Sequence, residues 1–434
     1  MNHEQHYNTD PTIVNWVDEW SFKKANTATY THKIHRYPAM FIPQLVRKII
    51  LQYTQKGDTV LDIFNGSGST MVECCLTGRN PIGIEINPLA NLIAKVKTTK
   101  INKELLINEL QNIEKSFFDE SFKYDVLNFN NIDFWFEQDT KLFISKLLTT
   151  FKNPETNDFF KVCLSEMIRT VSVCKTNGFK MHRDIKKIGA KIPIHDFFKK
   201  FTKITNKNIQ AIDMFTNFSQ NVNKNQIHGS STDLQNIPPN SVDLILTSPP
   251  YGDSQTTVAY GQFSRLSSQC FGFTLEGLDD IGQLDKKLLG GVKQSFDLYQ
   301  DIINRSITIR NAYEFFQMKM AVSDKDERKK LENRLNDVLS FYLDLDKCLK
   351  NGAYYLKPNK HFILVTGSRI VKTYKLHIDL IIAELAEEYG LELTSIFYRN
   401  IESKRMPSKG SATNVSGIKN ETINRESIIV LYKV

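Results

Sequence analysis

Two short stretches carry the residues that could do chemistry. The first is Thr247-Ser248-Pro249-Pro250-Tyr251, which follows the apolar run Val242-Asp243-Leu244-Ile245-Leu246. Two prolines fix φ and remove two N–H donors, so this loop is rigid and rich in carbonyl acceptors. The Ser248 hydroxyl and the Pro249 carbonyl can together accept the two hydrogens of an exocyclic amino group, and Tyr251 offers a flat face on which a base can stack. Such a site favours tetrahedral geometry at the bound nitrogen and frees its lone pair. A methyl donor held nearby could then be attacked in line. Positioning and polarisation supply the catalysis, with no covalent nucleophile and no metal.

The second stretch is Val60-Leu61-Asp62-Ile63-Phe64-Asn65-Gly66-Ser67-Gly68-Ser69-Thr70, far upstream. An apolar β-prone run ends in an acid and opens into a Gly-rich turn. The helix-like segment Met71–Thr77 and a second strand, Pro81-Ile82-Gly83-Ile84-Glu85-Ile86, follow. A strand, Gly turn, helix and strand in this order place a small ligand at the carboxyl end of the first strand. Gly66 and Gly68 permit positive φ and close backbone approach. Glu85, at the tip of the second strand, can accept hydrogen bonds from two ribose hydroxyls. Alone, the Gly-rich turn would read as an ordinary βα turn, since it lacks the dinucleotide G-x-G-x-x-G spacing. The proline loop changes that.

Together these motifs resemble the amino-group DNA methyltransferases that use S-adenosylmethionine. Thr247 to Tyr251 matches that family's catalytic motif in its Ser-Pro-Pro-Tyr form. Asp62 to Thr70 looks like its Asp-Pro-Phe-x-Gly-Ser-Gly-Thr cofactor motif, departing at Ile63 and at the extra Ser69. Gly83-Ile84-Glu85-Ile86-Asn87-Pro88 is similar to its second cofactor strand, and His35–Ile50 to the segment that wraps the methionine end. The resemblance covers roughly residues 32–98, 226–265 and 340–434. It implies that Phe64, Gly66 and Gly68 line the cofactor's methionine and ribose. Asp62 would face its amino group, Glu85 its ribose hydroxyls and Asp233 its adenine. Ser248, Pro249, Pro250 and Tyr251 would hold a target base flipped out of duplex DNA. In this family a first-position Ser goes more often with cytosine N4 than with adenine N6. Cytosine C5 chemistry needs a Cys after a Pro in this loop, and here that position is Tyr251.

The elements around these motifs read as an α/β chain. Strands are expected at 59–64, 81–86, 225–229, 242–247, 361–366, 391–398 and 427–433, with helices between most of them. Asn87-Pro88 reads as an N-cap followed by Pro at the first helical position. The implied fold is a Rossmann-like class I methyltransferase: a doubly wound seven-stranded sheet with an antiparallel end and two largely helical insertions. The expected divisions are an arm and first half-core at 1–100, a helical insertion at 101–224 and core with the catalytic loop at 225–255. A second insertion at 256–340 and a closing core at 341–434 complete the chain. Residues 1–30 read as an irregular arm, Asn351-Gly352 as the end of the long helix before the closing core, and Arg399–Arg425 as a polar loop long enough to carry function.

The 434 residues are 41% apolar and 24% charged, which suits a globular chain of two or three lobes. No apolar run is long enough to cross a bilayer and the N-terminus has no signal-peptide pattern, so a cytoplasmic setting is expected. The six cysteines show no C-x-x-C spacing and read as free or buried thiols, and no metal site is expected. The net charge is +8, and Lys175 to Lys207 alone holds ten Lys or Arg against two acids. Phe179, His182, His195, Phe197, Phe198 and Phe201 interleave with that charge. A basic strip with aromatics is the footprint of a nucleic-acid contact, here through Lys180, Arg183, Lys186 and Lys187. Gln262 and Arg265 have the chemistry for bidentate base contacts, with capping or packing as the plainer use. The expected partners are double-stranded DNA and a cognate restriction endonuclease acting separately. An adenine-N6 enzyme, an RNA amino-group methyltransferase, a small-molecule methyltransferase and a non-catalytic DNA-binding protein are the competing readings.

Overall fold

The structure is a computed structural model; it describes residues 14–16, 20–23, 25–252, 258–367, 369–400, 409–411, 419–421 and 425–434. The strands, in chain order, are β1 Val14–Trp16, β2 Thr59–Asp62, β3 Asn80–Glu85, β4 Asn225–His228, β5 Val242–Thr247 and β6 Leu356–Gly367. Then come β7 Arg369–Val371, β8 Tyr374–Leu376, β9 Leu391–Asn400, β10 Lys409–Ser411, β11 Lys419–Glu421 and β12 Arg425–Lys433. Eight of them form the main sheet in the order β1-β9-β12-β6-β5-β2-β3-β4. β4, β3, β2, β5 and β6 run parallel, and β12 is antiparallel to both of its neighbours, β6 and β9. The seven strands from β9 to β4 in that order are the doubly wound, Rossmann-like sheet with an antiparallel end. The eighth is a correction: residues 14–16 of the expected irregular arm pair in parallel with β9. Most of the Arg399–Arg425 loop lies outside the described residues.

The central strands form because both of their faces are covered. Every residue of β5 is buried, as are Val60, Leu61 and Asp62 of β2. Such strands are continuous apolar runs rather than alternating ones. Helix α1 (Pro43–Tyr53) packs Leu45, Val46, Ile49 and Ile50 beneath the sheet beside Val60, Leu244 and Ile363. Helix α2 (Ser69–Thr77) follows the β2 loop and α3 (Pro88–Thr98) follows β3. As expected, the Asn87 side chain accepts from Leu89 N–H and Pro88 opens α3.

The first insertion comprises α4 (Lys103–Phe118), α5 (Ile132–Trp135), α6 (Gln138–Thr150), α7 (Asn157–Val171) and α8 (Ile194–Phe218). Phe117, Phe159, Phe160, Phe197 and Phe201 fill its core, which continues onto Leu89, Ile93 and Val96 of α3. Phe197, Phe198 and Phe201 are therefore packing residues, and the expected row of nucleic-acid-facing aromatics loses all three. Their spacing is that of the apolar face of α8. Burying each contributes about 1.5–3 kcal/mol, a sufficient reason for their presence.

The second insertion comprises α9 (Tyr260–Cys270), α10 (Phe296–Arg305), α11 (Ile307–Ala321) and α12 (Lys325–Tyr355). Helices α10, α11 and α12 pack on the sheet itself, sharing one core with Leu61, Ile245 and Phe362, whereas α9 joins the core of the first insertion through Leu266 and Cys270. Asn351-Gly352 does not end α12, which runs on to Tyr355. Gly352 lies inside the helix because a Cβ there would stand 2.5 Å from the Phe362 ring and 3.3 Å from Ile245. Helix α13 (Ile378–Ala386) covers the antiparallel end.

Candidate functional site

The carboxyl ends of β2, β3 and β5 open into one cleft of about 990 Å³, its mouth included. This is the crevice where open α/β sheets bind ligands. Its walls come from Tyr37–Phe41, Asp62–Ser67, Ile84–Asn87, Gly229–Ser231, Ser248, Pro250, Gly252, Tyr260 and Lys287–Leu289. Both motifs therefore meet at one place, although about 180 residues separate them in the chain.

Asp62 joins the two loops. It is buried at the end of β2, where Thr247 Oγ1 donates to its Oδ1 (2.6 Å) and Thr70 Oγ1 to its Oδ2 (2.6 Å). Phe64 N–H donates both to Asp62 Oδ1 (3.1 Å) and to Thr247 Oγ1 (3.1 Å). Burial pushes the Asp62 carboxyl up to about 6, against the hydrogen bonds from Thr247, Thr70 and Phe64 that favour its charge. Asp62 lines the cleft, but its first work is to hold the β2 loop to the β5 loop.

Glu85 ends β3. Its Oε2 accepts from Gly66 N–H and its Oε1 from Asn87 N–H, both at 2.8 Å. Burial pushes its carboxyl up to about 7, opposed by those two backbone donors. Each oxygen keeps a lone pair toward the cleft, which suits a pair of ribose hydroxyls. Asn87 is a second junction: its Nδ2 donates to Tyr37 Oη (2.9 Å) and to Ser264 Oγ (2.7 Å). The Tyr37 ring stacks on Tyr260, centroids 6.1 Å apart. The two rings, Phe64 and the Glu85 acceptors make a wall with the chemistry for a nucleoside carrying an amino-acid tail. The donor set fits S-adenosylmethionine.

Ser248 and Pro250 line the cleft, whereas Pro249 and Tyr251 do not. The Tyr251 phenol donates to Glu426 Oε1 (3.0 Å), and Glu426 Oε2 is clasped by Arg399 through Nε (2.8 Å) and Nη2. Burial beside that carboxylate pushes the phenol well above its usual range. Glu426 lies on β12 and Arg399 on β9, so the antiparallel end of the sheet orients the tyrosine. No local pattern in the sequence points to this pair.

Other expected positions need correction. Gly68 does not line the cleft; its φ is +82°, and a Cβ there would stand 2.7 Å from Ala94 Cβ. It lets α2 and α3 approach. Asp233 is exposed in the turn that begins at Ser230 and does not line the cleft; Gly229, Ser230 and Ser231 do. Lys187 is not free for phosphate, because its Nζ donates to the carbonyls of Thr170, Ser172 and Cys174 at 2.9–3.2 Å and so caps the end of α7. Gln262 Oε1 accepts from Met181 N–H (3.0 Å) and Arg265 pairs with Asp280 at 3.7 Å, so both serve packing. Arg183 stacks over Phe134 at 4.3 Å. Lys180 and Lys186 are exposed, and Ile185 beside them is 83% exposed. The segment 175–191 is thus a held loop: Arg169 donates to the carbonyls of Gly178 and Phe179, and Gln262 ties it to α9, whose first residue, Tyr260, lines the cleft.

Sequence reasoning missed Tyr260, Lys287, Leu288, Leu289, Glu426, Arg399 and Lys97. Lys97 is wholly buried on α3, with its Nζ 3.1 Å from Ser67 Oγ. Burial pushes its ammonium down to about 7. The six cysteines are all free and buried, and among the described residues no helix is long and apolar enough to cross a membrane.

Comparison with known proteins agrees with this geometry. Residues 2–95 match a family model described as DNA methylase, of the N6/N4 type. The chain is 33% identical to the type II methyltransferase M.MvaI of Kocuria varians over 431 residues, covering 94% of this chain and 92% of that protein. It is 22% identical to M.AvaI of Nostoc over 421 residues, covering 90% and 86%. M.MjaII of Methanocaldococcus jannaschii shares 39% over 100 residues, 21% of this chain and 19% of that protein.

Proposed function

The chain belongs to the S-adenosylmethionine-dependent amino-group DNA methyltransferases, on the Rossmann-like class I methyltransferase fold, and we propose that it methylates the N4 amino group of a cytosine flipped out of duplex DNA at a specific site. The observation that carries this reading is that Ser248 and Pro250 line the same cleft as Phe64, Gly66 and Glu85. A target amine and a methyl donor can therefore share one enclosure. S-adenosylmethionine supplies an electrophilic methyl group on a sulfonium.

The residues of the chain do the rest. Glu85 accepts from ribose hydroxyls. Tyr37 and Tyr260 flank the nucleoside. Phe64 and Gly66 border the methionine end, with Asp62 beneath them. The Ser248 hydroxyl and the Pro249 carbonyl accept the two amino hydrogens of the base and draw its lone pair out of conjugation. Tyr251, outside the cleft lining and fixed through its phenol by Glu426 and Arg399, is the face we assign to the base once it is flipped in beside Ser248. The N–H proton is lost after the nitrogen has been alkylated and is acidic at that stage, so no strong base is required.

Adenine N6 is the second reading, since an amino group on a flipped adenine meets the same acceptors. Ser at position 248 favours cytosine. We assign the phosphate contacts to Lys180 and Lys186, which are exposed on a loop tied to α9.

The deciding experiment is modified-base sequencing, with nucleoside mass spectrometry, of DNA from a methylation-free bacterial host expressing the chain. N4-methylcytosine at one short repeated motif is the expected result. N6-methyladenine would overturn the base assignment, and unmodified DNA would overturn the substrate.

A further inference from the structure

The cleft has a polar feature that neither motif explains. Lys97 has no exposed surface, and among the described residues no carboxylate lies within ion-pair distance of it. The acid whose charge it feels, Glu166, is held by Arg36 N–H (2.8 Å), with the Arg36 guanidinium 3.7 Å away. The Lys97 ammonium carries three hydrogens. One goes to Ser67 Oγ (3.1 Å), and Met40 Sδ is its next neighbour at 3.9 Å. Ser67 and Met40 both line the cleft. A buried ammonium with so little compensation is unfavourable until an anion comes near.

The hydroxyl between them sets the direction. Ser67 Oγ accepts from Lys97, so its own hydrogen is free to donate elsewhere. A hydroxyl polarised by an ammonium is a strengthened donor, suited to an anion. Position along the cleft identifies the anion. Gly229–Ser231 follow β4, Glu85 ends β3 and Ser67 lies in the loop after β2, and these strands are neighbours in that order, so Ser67 is on the far side of Glu85 from Gly229–Ser231, where the amino-acid tail of a nucleoside held by Glu85 would lie.

We propose that Ser67, polarised by Lys97, is the receptor for the α-carboxylate of the cofactor's methionine, with Lys97 as its positioning residue. This rests on the reading of Glu85 as the ribose partner. Lys97 supplies the charge through the hydroxyl, and Ser67 makes the contact.

Titration calorimetry on the full chain tests this with two ligands. S-adenosylhomocysteine carries the amino-acid tail, and 5′-methylthioadenosine carries only the nucleoside and thioether. Lys97→Met is expected to weaken S-adenosylhomocysteine by about 10- to 100-fold, the range for a charge-assisted hydrogen bond. It should leave 5′-methylthioadenosine within about twofold, because that ligand never reaches Ser67. Ser67→Ala should give the same selective loss, and it carries the comparison if Lys97→Met does not fold. The melting temperature of ligand-free Lys97→Met should hold or rise, since removing an unpaired buried charge is neutral or stabilising. Equal losses for both ligands would reduce Lys97 to a structural residue and overturn the proposal, as would unchanged affinity for S-adenosylhomocysteine. If neither ligand binds the wild-type chain, it is the placement of the nucleoside that fails.

Discussion

The loops that leave β2 and β5 are neighbours in the sheet and are held in opposite ways. The β2 loop is fixed by partly or fully buried carboxylates, Asp62 and Glu85, each accepting from N–H or O–H donors. The β5 loop is fixed by two prolines and by a phenol, a carboxylate and a guanidinium reaching in from β12 and β9. One loop depends on charges that burial makes easy to protonate. The other depends on covalent stiffness and on a part-buried ion pair. They meet at Thr247 Oγ1, which donates to Asp62 Oδ1 and accepts from Phe64 N–H. A pocket built this way should allow cofactor binding and methyl transfer to be damaged separately.

The largest expected effect comes from taking the acceptor off the β5 loop. Ser248→Ala should lower kcat by about 10²–10³-fold, as the loss of one polarising group does elsewhere. Its affinity for S-adenosylhomocysteine should stay within experimental error of wild type. A variant that also lost the cofactor would erase the distinction between the loops.

Glu85→Gln should do the reverse, weakening S-adenosylhomocysteine by about 10-fold or more through poorer hydrogen bonds to charge. Its dependence on pH sharpens the contrast. Glu85 has a folded pKa raised from 4.5 to about 7, and Asp62 one raised from 3.8 to about 6. For raised carboxylates, the stability contributed is present below the unfolded value and is lost as pH rises through the folded one. The ligand-free protein should therefore gain melting temperature between pH 8 and pH 5.5 from these two groups, and Glu85→Gln should show less of that gain. Cofactor binding runs the other way, because ribose hydroxyls need the charged carboxylate. Below pH 7 affinity should fall by up to about tenfold per pH unit in wild type and stay flat in Glu85→Gln.

A double-mutant cycle on the shared contact comes next. Thr247→Val and Asp62→Asn, read by kcat/KM, should show a coupling of about 0.5–3 kcal/mol. Strict additivity would mean that the loops merely adjoin. The smallest effect is electrostatic: Lys180→Ala with Lys186→Ala should flatten the logarithmic salt dependence of DNA binding by about 0.9 for each phosphate contact removed. An unchanged slope would return the 175–191 loop to ordinary surface.

What could be read in advance follows from distance along the chain. The unit β2, Gly-rich turn, α2, β3, Asn87 cap and Pro88 was legible because each signal lies within a few residues of its effect. The same holds for Ser248 to Tyr251 at the end of an apolar strand. Glu426, Arg399 and Lys97 were not legible, because their partners lie 175, 27 and 30 residues away. Asp233 was misplaced because a strand followed by an acid also describes an exposed turn. The basic strip divides in an instructive way: it runs from a loop into α8, and charge counted along the chain cannot separate the loop's lysines from the phenylalanines of a helix face. Gly68 and Gly352 show the same limit, since the neighbours that demand glycine, Ala94 and Phe362, belong to other elements.

The short β1 has a consequence for the outside of the molecule. β9 has ten residues and pairs with β12 on one side. On the other, Val14–Trp16 lie against Ile396–Tyr398 and the Trp20 carbonyl accepts from Arg399. Those few residues cover part of an edge that would otherwise offer its free N–H and C=O groups to any passing strand. Trimming the chain to begin after them would keep both motifs and the whole cleft, yet would bare that edge for pairing with another sheet.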